Sequence, residues 1–152
     1  MMNGKNLFLT ALAALMLAAG CQRHQAADET AKALAHCDSI IQTCTDSLSS
    51  EDPLMMEYQV QAALIDKLHE AYTEKERLLE ERIIDHSEGD MKLLLYQEFE
   101  RGHRLYDAWA EQNDSIVYAT DPLGAPWIEC RSQRIDKLFE HIRILQQHTK
   151  WQ

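Results

Sequence analysis

Glycine and proline are scarce in this chain. Five glycines and three prolines in 152 residues leave few places for a sharp turn, and both residues disfavour helix interiors. Their rarity favours long helices. Strand-like alternation longer than a few residues, internal repeats and low-complexity runs are all missing. Long apolar runs are missing too. The longest spans Leu7 to Ala19, short of the ~20 residues that cross a bilayer. Positive charge is in deficit, with 15 Lys and Arg against 25 Asp and Glu, a net −10. That argues against direct binding to nucleic acid or an anionic bilayer and favours a cationic partner; by itself it also serves solubility. Signatures of catalysis are lacking: there is no GxSxG, no Gly-rich phosphate loop, no CxxC and no HExxH. The chain reads as a binding protein and not an enzyme.

The amino terminus carries an address. Lys5 precedes the apolar run, which ends Leu17-Ala18-Ala19-Gly20-Cys21. A basic start, a short apolar stretch and small residues have the form of a signal peptide. The small residues before Cys21 resemble the lipobox of bacterial lipoproteins, with the leucine one step earlier than usual. The resemblance implies cleavage before Cys21 and acylation of its thiol and amine, the only covalent group expected; no other cofactor is. The alternative is an ordinary secretory signal with a chance cysteine. Two or three acyl chains hold a protein stably on a membrane. Gln22 follows Cys21, with no aspartate to retain the protein at an inner membrane. In a Gram-negative cell this points to the outer membrane, facing the periplasm. The leader takes Lys5 and no acid with it, so the mature charge is −11. The organisation expected is a signal peptide over 1–20, a lipidated polar tether over 21–29 and one helical domain over 30–152.

Apolar spacing defines that domain. Leu34, Cys37, Ile41, Cys44 and Leu48 recur every three or four residues, one face of a helix. Ser49 to Pro53 interrupts the pattern, and Ser50 or Asp52 can cap a second helix with Pro53 in its first turn. That helix continues to Asp85 on Tyr58, Ala62, Ile65, Leu68, Tyr72, Leu79 and Ile83. Its charged stretch, residues 73–82, reads as a solvated face with pairs such as Arg77 and Glu81. A turn at 86–89 leads to a third helix, capped by Asp90, with Leu95, Phe99, Gly102, Tyr106 and Trp109 on one side. Gly102 marks either a close helix approach or a kink. Residues 113–125 read as the longest non-helical stretch. Pro126 then opens a fourth helix with Ile128, Arg131, Ile135, Leu138, Ile142 and Leu145 in line. The expected fold is all-α, a small antiparallel bundle of about four helices.

With Cys21 lipidated, three thiols remain: Cys37, Cys44 and Cys130. An oxidising periplasm favours a disulfide. Cys37 and Cys44 stand seven residues apart on one helix, roughly 10 Å, beyond the ~7 Å that a disulfide spans. Cys130 therefore pairs with one of them. In an up-down bundle the first helix ends where the fourth begins, which selects Cys44–Cys130 and leaves Cys37 as a buried thiol. Closing so long a loop contributes about 4 kcal/mol in the chain-entropy description.

Seven histidines invite a metal reading, but no two fall three or four apart on one helix. His141 and His148 share a face at roughly 10 Å, too far to hold one ion together. Acid pairs such as Glu80 and Glu81 read as solubility. No metal centre is expected.

Several spaced residues fall into an order. Cys37 and Cys44 are followed by Asp66-Lys67-Leu68-His69-Glu70-Ala71-Tyr72, then by Gln97 and Arg104, then by Cys130, Arg134 and Leu138. In this order the chain resembles the LprI-type lysozyme-inhibitor domain family, whose members are small, secreted or lipid-anchored helical domains with paired cysteines. His69 stands where that pattern has Asn, Glu100 where it has Trp, and Ala108 about where it has a further cysteine. A lost second disulfide accounts for the odd thiol.

The resemblance implies a periplasm-facing lipoprotein that binds and inhibits lysozyme-like muramidases. Such enzymes are typically cationic, and a strongly acidic chain speeds their encounter. An inhibitor needs a protruding element, and 113–125 with its borders is the one on offer. Tyr118 and Trp127 are its candidate aromatic anchors, and Asp114, Ser115 and Asp121 its candidate polar contacts. Packing at the helix start is the competing role for Trp127, and the core for Tyr118. Gln97 and Arg104 are expected to share a buried hydrogen bond. The alternative function is a non-catalytic envelope scaffold or adaptor that binds another protein through a helix face.

Overall fold

A computed structural model describes the backbone of residues 4–50, 56–121 and 124–149, and side chains from residue 27 onward within those ranges. Cys21, the leader side chains, Asp52 and Pro53 lie outside the described side chains. Four helices follow one another: α1 (Gly4–Ser50), α2 (Tyr58–Asp85), α3 (Asp90–Thr120) and α4 (Pro126–Thr149). Among the described residues there is no strand, and no helix is long and apolar enough to cross a membrane. Residues 1–35 form one compact unit and 36–152 another; the packing below concerns the second.

α2 packs most extensively on α4, α3 less on α4, and α2 least on α3. The 3.6-residue period explains the core. α2 buries Ile65, Leu68, Leu79 and Ile83, and α4 buries Leu138, Ile142 and Leu145. Each such side chain contributes roughly 2 kcal/mol when removed from water. Cys37 and Cys44 are buried by the end of α1. That end is tied to α2 by Lys75 Nζ, which donates to Asp38 Oδ1 at 2.5 Å. Tyr72 meets Phe139 edge-on across the α2–α4 seam, with ring centroids 6.3 Å apart.

The helix ends use local chemistry. His86 N–H donates to Arg82 O and Ser87 Oγ to Ile83 O, closing α2. Gly89 has φ +57, a left-handed conformation that costs glycine little, and the chain re-enters helix at once. Asp90 is the first residue of α3 and makes no side-chain cap; the N-cap is Gly89. The Asp90 carboxylate still favours the helix through its dipole. Likewise, the N-cap of α2 is Glu57 without a side-chain bond. Ser50 ends α1 with its hydroxyl on Ser47 O, so it does not cap α2. After α3, Gly124 N–H donates to Asp121 Oδ1 at 2.8 Å. A Cβ at Gly124 would lie 1.9 Å from Asp121 Oδ2, so a side chain here would displace the Asp121 carboxylate from this turn.

Three other expectations change. The 22–29 stretch, expected as a tether, is helical. No glycine or proline interrupts residues 21–50, and Lys32 supports the helix by pairing with Asp28 one turn away at 2.7 Å. The 113–125 stretch is helical as far as Thr120. Asn, Asp and Ser at 113–115 favour caps and turns in isolation. Here packing overrides that preference: Val117 is buried, Asn113 Nδ2 donates to Gln133 Oε1 at 2.6 Å, and Arg134 pairs with Asp114. Gly102 meets no close helix: a Cβ added there would touch nothing within 4 Å.

Candidate functional site

The positions first expected to bind a partner do not form a protruding loop. Asp114 is half-buried and paired with Arg134 of α4. Ser115 Oγ donates back to Glu111 O at 2.9 Å. Trp127 is half-buried at the start of α4, with the Arg131 guanidinium 5.5 Å from its ring centroid. Asp121 is exposed but accepts the Gly124 N–H in a tight turn. Tyr118 is exposed on α3.

The residues taken from the family pattern divide in the same way. Cys37, Leu68 and Leu138 are buried, and Tyr72 and Arg134 half-buried. Gln97 and Arg104, expected to share a buried hydrogen bond, are both exposed, and Arg104 pairs with Glu100 of its own helix at 3.7 Å. Seven residues separate them, close to two turns, so they share a face; that face turns to water.

Two features were not expected. The first is a row of apolar side chains on the outside of α3. Met91, Leu94, Leu105 and Ile116 are all exposed. They stand 3, 11 and 11 residues apart, close to whole turns at ~3.6 residues each, so they form one line. Leu93, Tyr96 and Tyr118 are exposed too, but about a third to half a turn round the helix from the line, and Leu105 reaches 62% exposure. The core-facing side of the helix carries Leu95, Phe99, Tyr106, Ala110 and Val117 instead. Glu98, Arg101 and Gln112, also exposed, lie on the line between these apolar residues.

The second is a polar cluster inside the bundle. Glu76 and Glu80 lie one turn apart on α2. His103 Nε2 of α3 is 3.0 Å from Glu80 Oε2, and His141 Nδ1 of α4 is 2.5 Å from Glu76 Oε1. Ligand atoms of Glu76, Glu80 and His103 all lie within 4.8 Å of one another. Glu80 is only 5% exposed, which corrects its assignment to the solvated face. Glu81 keeps that role, exposed and paired with Arg77. Burial pushes the Glu80 carboxyl above its ordinary range; the neighbouring His103 opposes this and Glu76 adds to it. The hydrogen bond to Glu76 raises the His141 imidazole, against its own desolvation.

No family model, curated protein or solved structure matches this chain.

The cluster escaped the sequence because its members come from three helices. Motif spacing finds ligands on one element. Here the one local trace is Glu76 and Glu80 at i and i+4, which the charged stretch around them disguises. The α3 row was hidden differently. Met91, Leu94, Leu95, Phe99 and Leu105 give a helix apolar on two sides, and spacing alone does not tell which side is covered.

Proposed function

We propose that this chain is a lipid-anchored, non-catalytic protein of the bacterial envelope that binds a cationic muramidase through the outer face of α3. The observation that carries a binding surface is the exposed line Met91, Leu94, Leu105 and Ile116. Exposed apolar side chains aligned on one helix face, here interspersed with the exposed Glu98, Arg101 and Gln112, offer a protein partner a mixed apolar and polar surface. The acidic charge and the order of family-pattern residues favour a muramidase as the partner. The lipid on Cys21 and a periplasm-facing outer-membrane location belong to the same proposal. The surface differs from a loop inserted into a cleft, because 114–120 is built into the bundle.

Cys37, Cys44 and Cys130 are all free, buried thiols in the structure, so the expected Cys44–Cys130 disulfide is not formed there; for the oxidised protein it remains part of the same proposal. Cys37 faces Glu74 and Lys75 of α2. Cys44 lies two turns further along α1, toward the end where α2 begins. Asp66 at that end of α2 pairs with Arg131 at 3.6 Å, next in sequence to Cys130. Both thiols are buried at that end of the bundle, and Cys37 is about two turns away.

The experiment is inhibition of a c-type and a g-type muramidase by the full-length chain in detergent, at low and high salt. A fitted site gives saturable inhibition at both salts. A second reading, an envelope adaptor for a different partner, is favoured by the same exposed row. It takes over if neither enzyme is inhibited while Cys21→Ala releases the chain from the membrane.

A further inference from the structure

We propose that Glu76, Glu80 and His103 form a binding site for a divalent transition metal of the zinc type, with His141 orienting Glu76 from behind. This goes beyond the protein-binding reading and does not rest on it.

Geometry makes the first argument. Glu76 and Glu80 are one helical turn apart, so both carboxylates leave the same face of α2. α3 brings His103 to them and α4 brings His141, so three helices converge on one point. The potential ligand atoms of the first three lie within 4.8 Å of one another. Around a tetrahedral zinc with bonds of about 2.0–2.1 Å the ligands stand roughly 3.3 Å apart. Small side-chain rotations close that difference.

Burial makes the second. Glu80 is 5% exposed, and its charged neighbours are His103, Glu76 and His141. A buried ionised carboxylate is costly unless compensated, and Glu76 sets a second carboxylate against it. His103 offers one imidazole, but that side chain is about half exposed. A dication between the two carboxylates compensates both.

The donor set makes the third. Two carboxylates and an imidazole suit zinc and its neighbours better than soft Cu(I) or hard Ca²⁺. His141, bonded to Glu76 at 2.5 Å, is the kind of outer partner that fixes a ligand's orientation. The half-exposed His103 gives an ion a path from solvent.

The test is a zinc titration of the metal-stripped full-length chain in detergent, at neutral pH, against a chromophoric chelator. One equivalent is expected to bind. Affinity should fall at least 10-fold in each of Glu76→Gln, Glu80→Gln and His103→Gln, and by up to about 10-fold in His141→Gln. His148→Gln should match the parent. Circular dichroism of each variant must retain the parent helicity, and the glutamine replacements keep side-chain volume so that the fold survives. Cobalt substitution provides an independent readout: the spectrum should lack a thiolate charge-transfer band. Three outcomes overturn the proposal. They are no binding, binding unchanged in Glu80→Gln and His103→Gln, and a thiolate band that moves the metal to the cysteines.

Discussion

At the scale of single residues, Glu80 and His141 give opposite charges to the same interior and respond to pH in the same sense. The Glu80 carboxyl is raised by burial from about 4.5. A group raised in the folded state binds its proton more tightly there, so the stability it contributes is complete below its unfolded value and is lost as pH rises through the folded one. Ionised Glu80 is therefore a burden on the metal-free protein at neutral pH. Glu80→Gln should raise Tm at pH 7.5 in the presence of chelator, with the gain fading toward pH 4. His141 is raised from 6.5, first by its hydrogen bond to Glu76. Its contribution is present below about 6.5 and disappears at alkaline pH. His141→Gln should lower Tm more at pH 6 than at pH 9. Thermal melts over this range check both signs. A Glu80→Gln variant that loses stability at pH 7.5 would show that the His103 contact outweighs desolvation.

At the scale of elements, α3 is the part of the bundle that the sequence described least well. Its existence, and the core-facing Leu95, Phe99, Tyr106 and Trp109, follow from apolar spacing. Its end does not. Asn113, Asp114 and Ser115 look like a helix stop, yet two turns of helix follow because Val117, Asn113 and Asp114 find partners on or toward α4. Such partners are tertiary, and no local window contains them. Replacing 114–120 with a Gly/Ser linker therefore removes structure as well as surface, at about 1 kcal/mol per glycine. Asp114→Ala should destabilise the bundle by about 1–3 kcal/mol by leaving the half-buried Arg134 without its carboxylate, measurable by urea unfolding. For Gly102 the sequence left a close approach or a kink open, and the open space around it excludes the close approach. Gly102→Ala should stabilise the protein by about 0.5–1 kcal/mol, since alanine costs less backbone entropy in a helix. A loss on the same urea curves would mean that the position is tighter than described. By contrast α2 and α4 were more legible, although Tyr58, expected on the α2 stripe, is exposed and Glu80, expected in solvent, is buried. Ile65, Leu68, Leu79 and Ile83 on one, and Leu138, Ile142 and Leu145 on the other, are the buried residues that their 3.6-residue period names.

At the scale of the whole molecule, three properties act together: a proposed lipid anchor at one end, a net charge of −10 before processing and an apolar face on a helix otherwise built into the bundle. The anchor sets where the protein meets a partner, charge sets how fast a cationic one arrives, and the apolar face sets whether it stays. The proposed Cys44–Cys130 disulfide belongs with the proposed export to an oxidising compartment. Non-reducing peptide mapping should recover that pair from oxidised protein, and Cys44→Ala should cost about 4 kcal/mol of stability only under oxidising conditions. The most direct measurement is inhibition of a c-type lysozyme by the full-length chain in detergent at high salt, comparing the parent with Leu94→Glu/Leu105→Glu. The account predicts saturable inhibition by the parent and its loss in the double variant, at unchanged helicity. Inhibition that the double variant retains, or none from the parent, would contradict it.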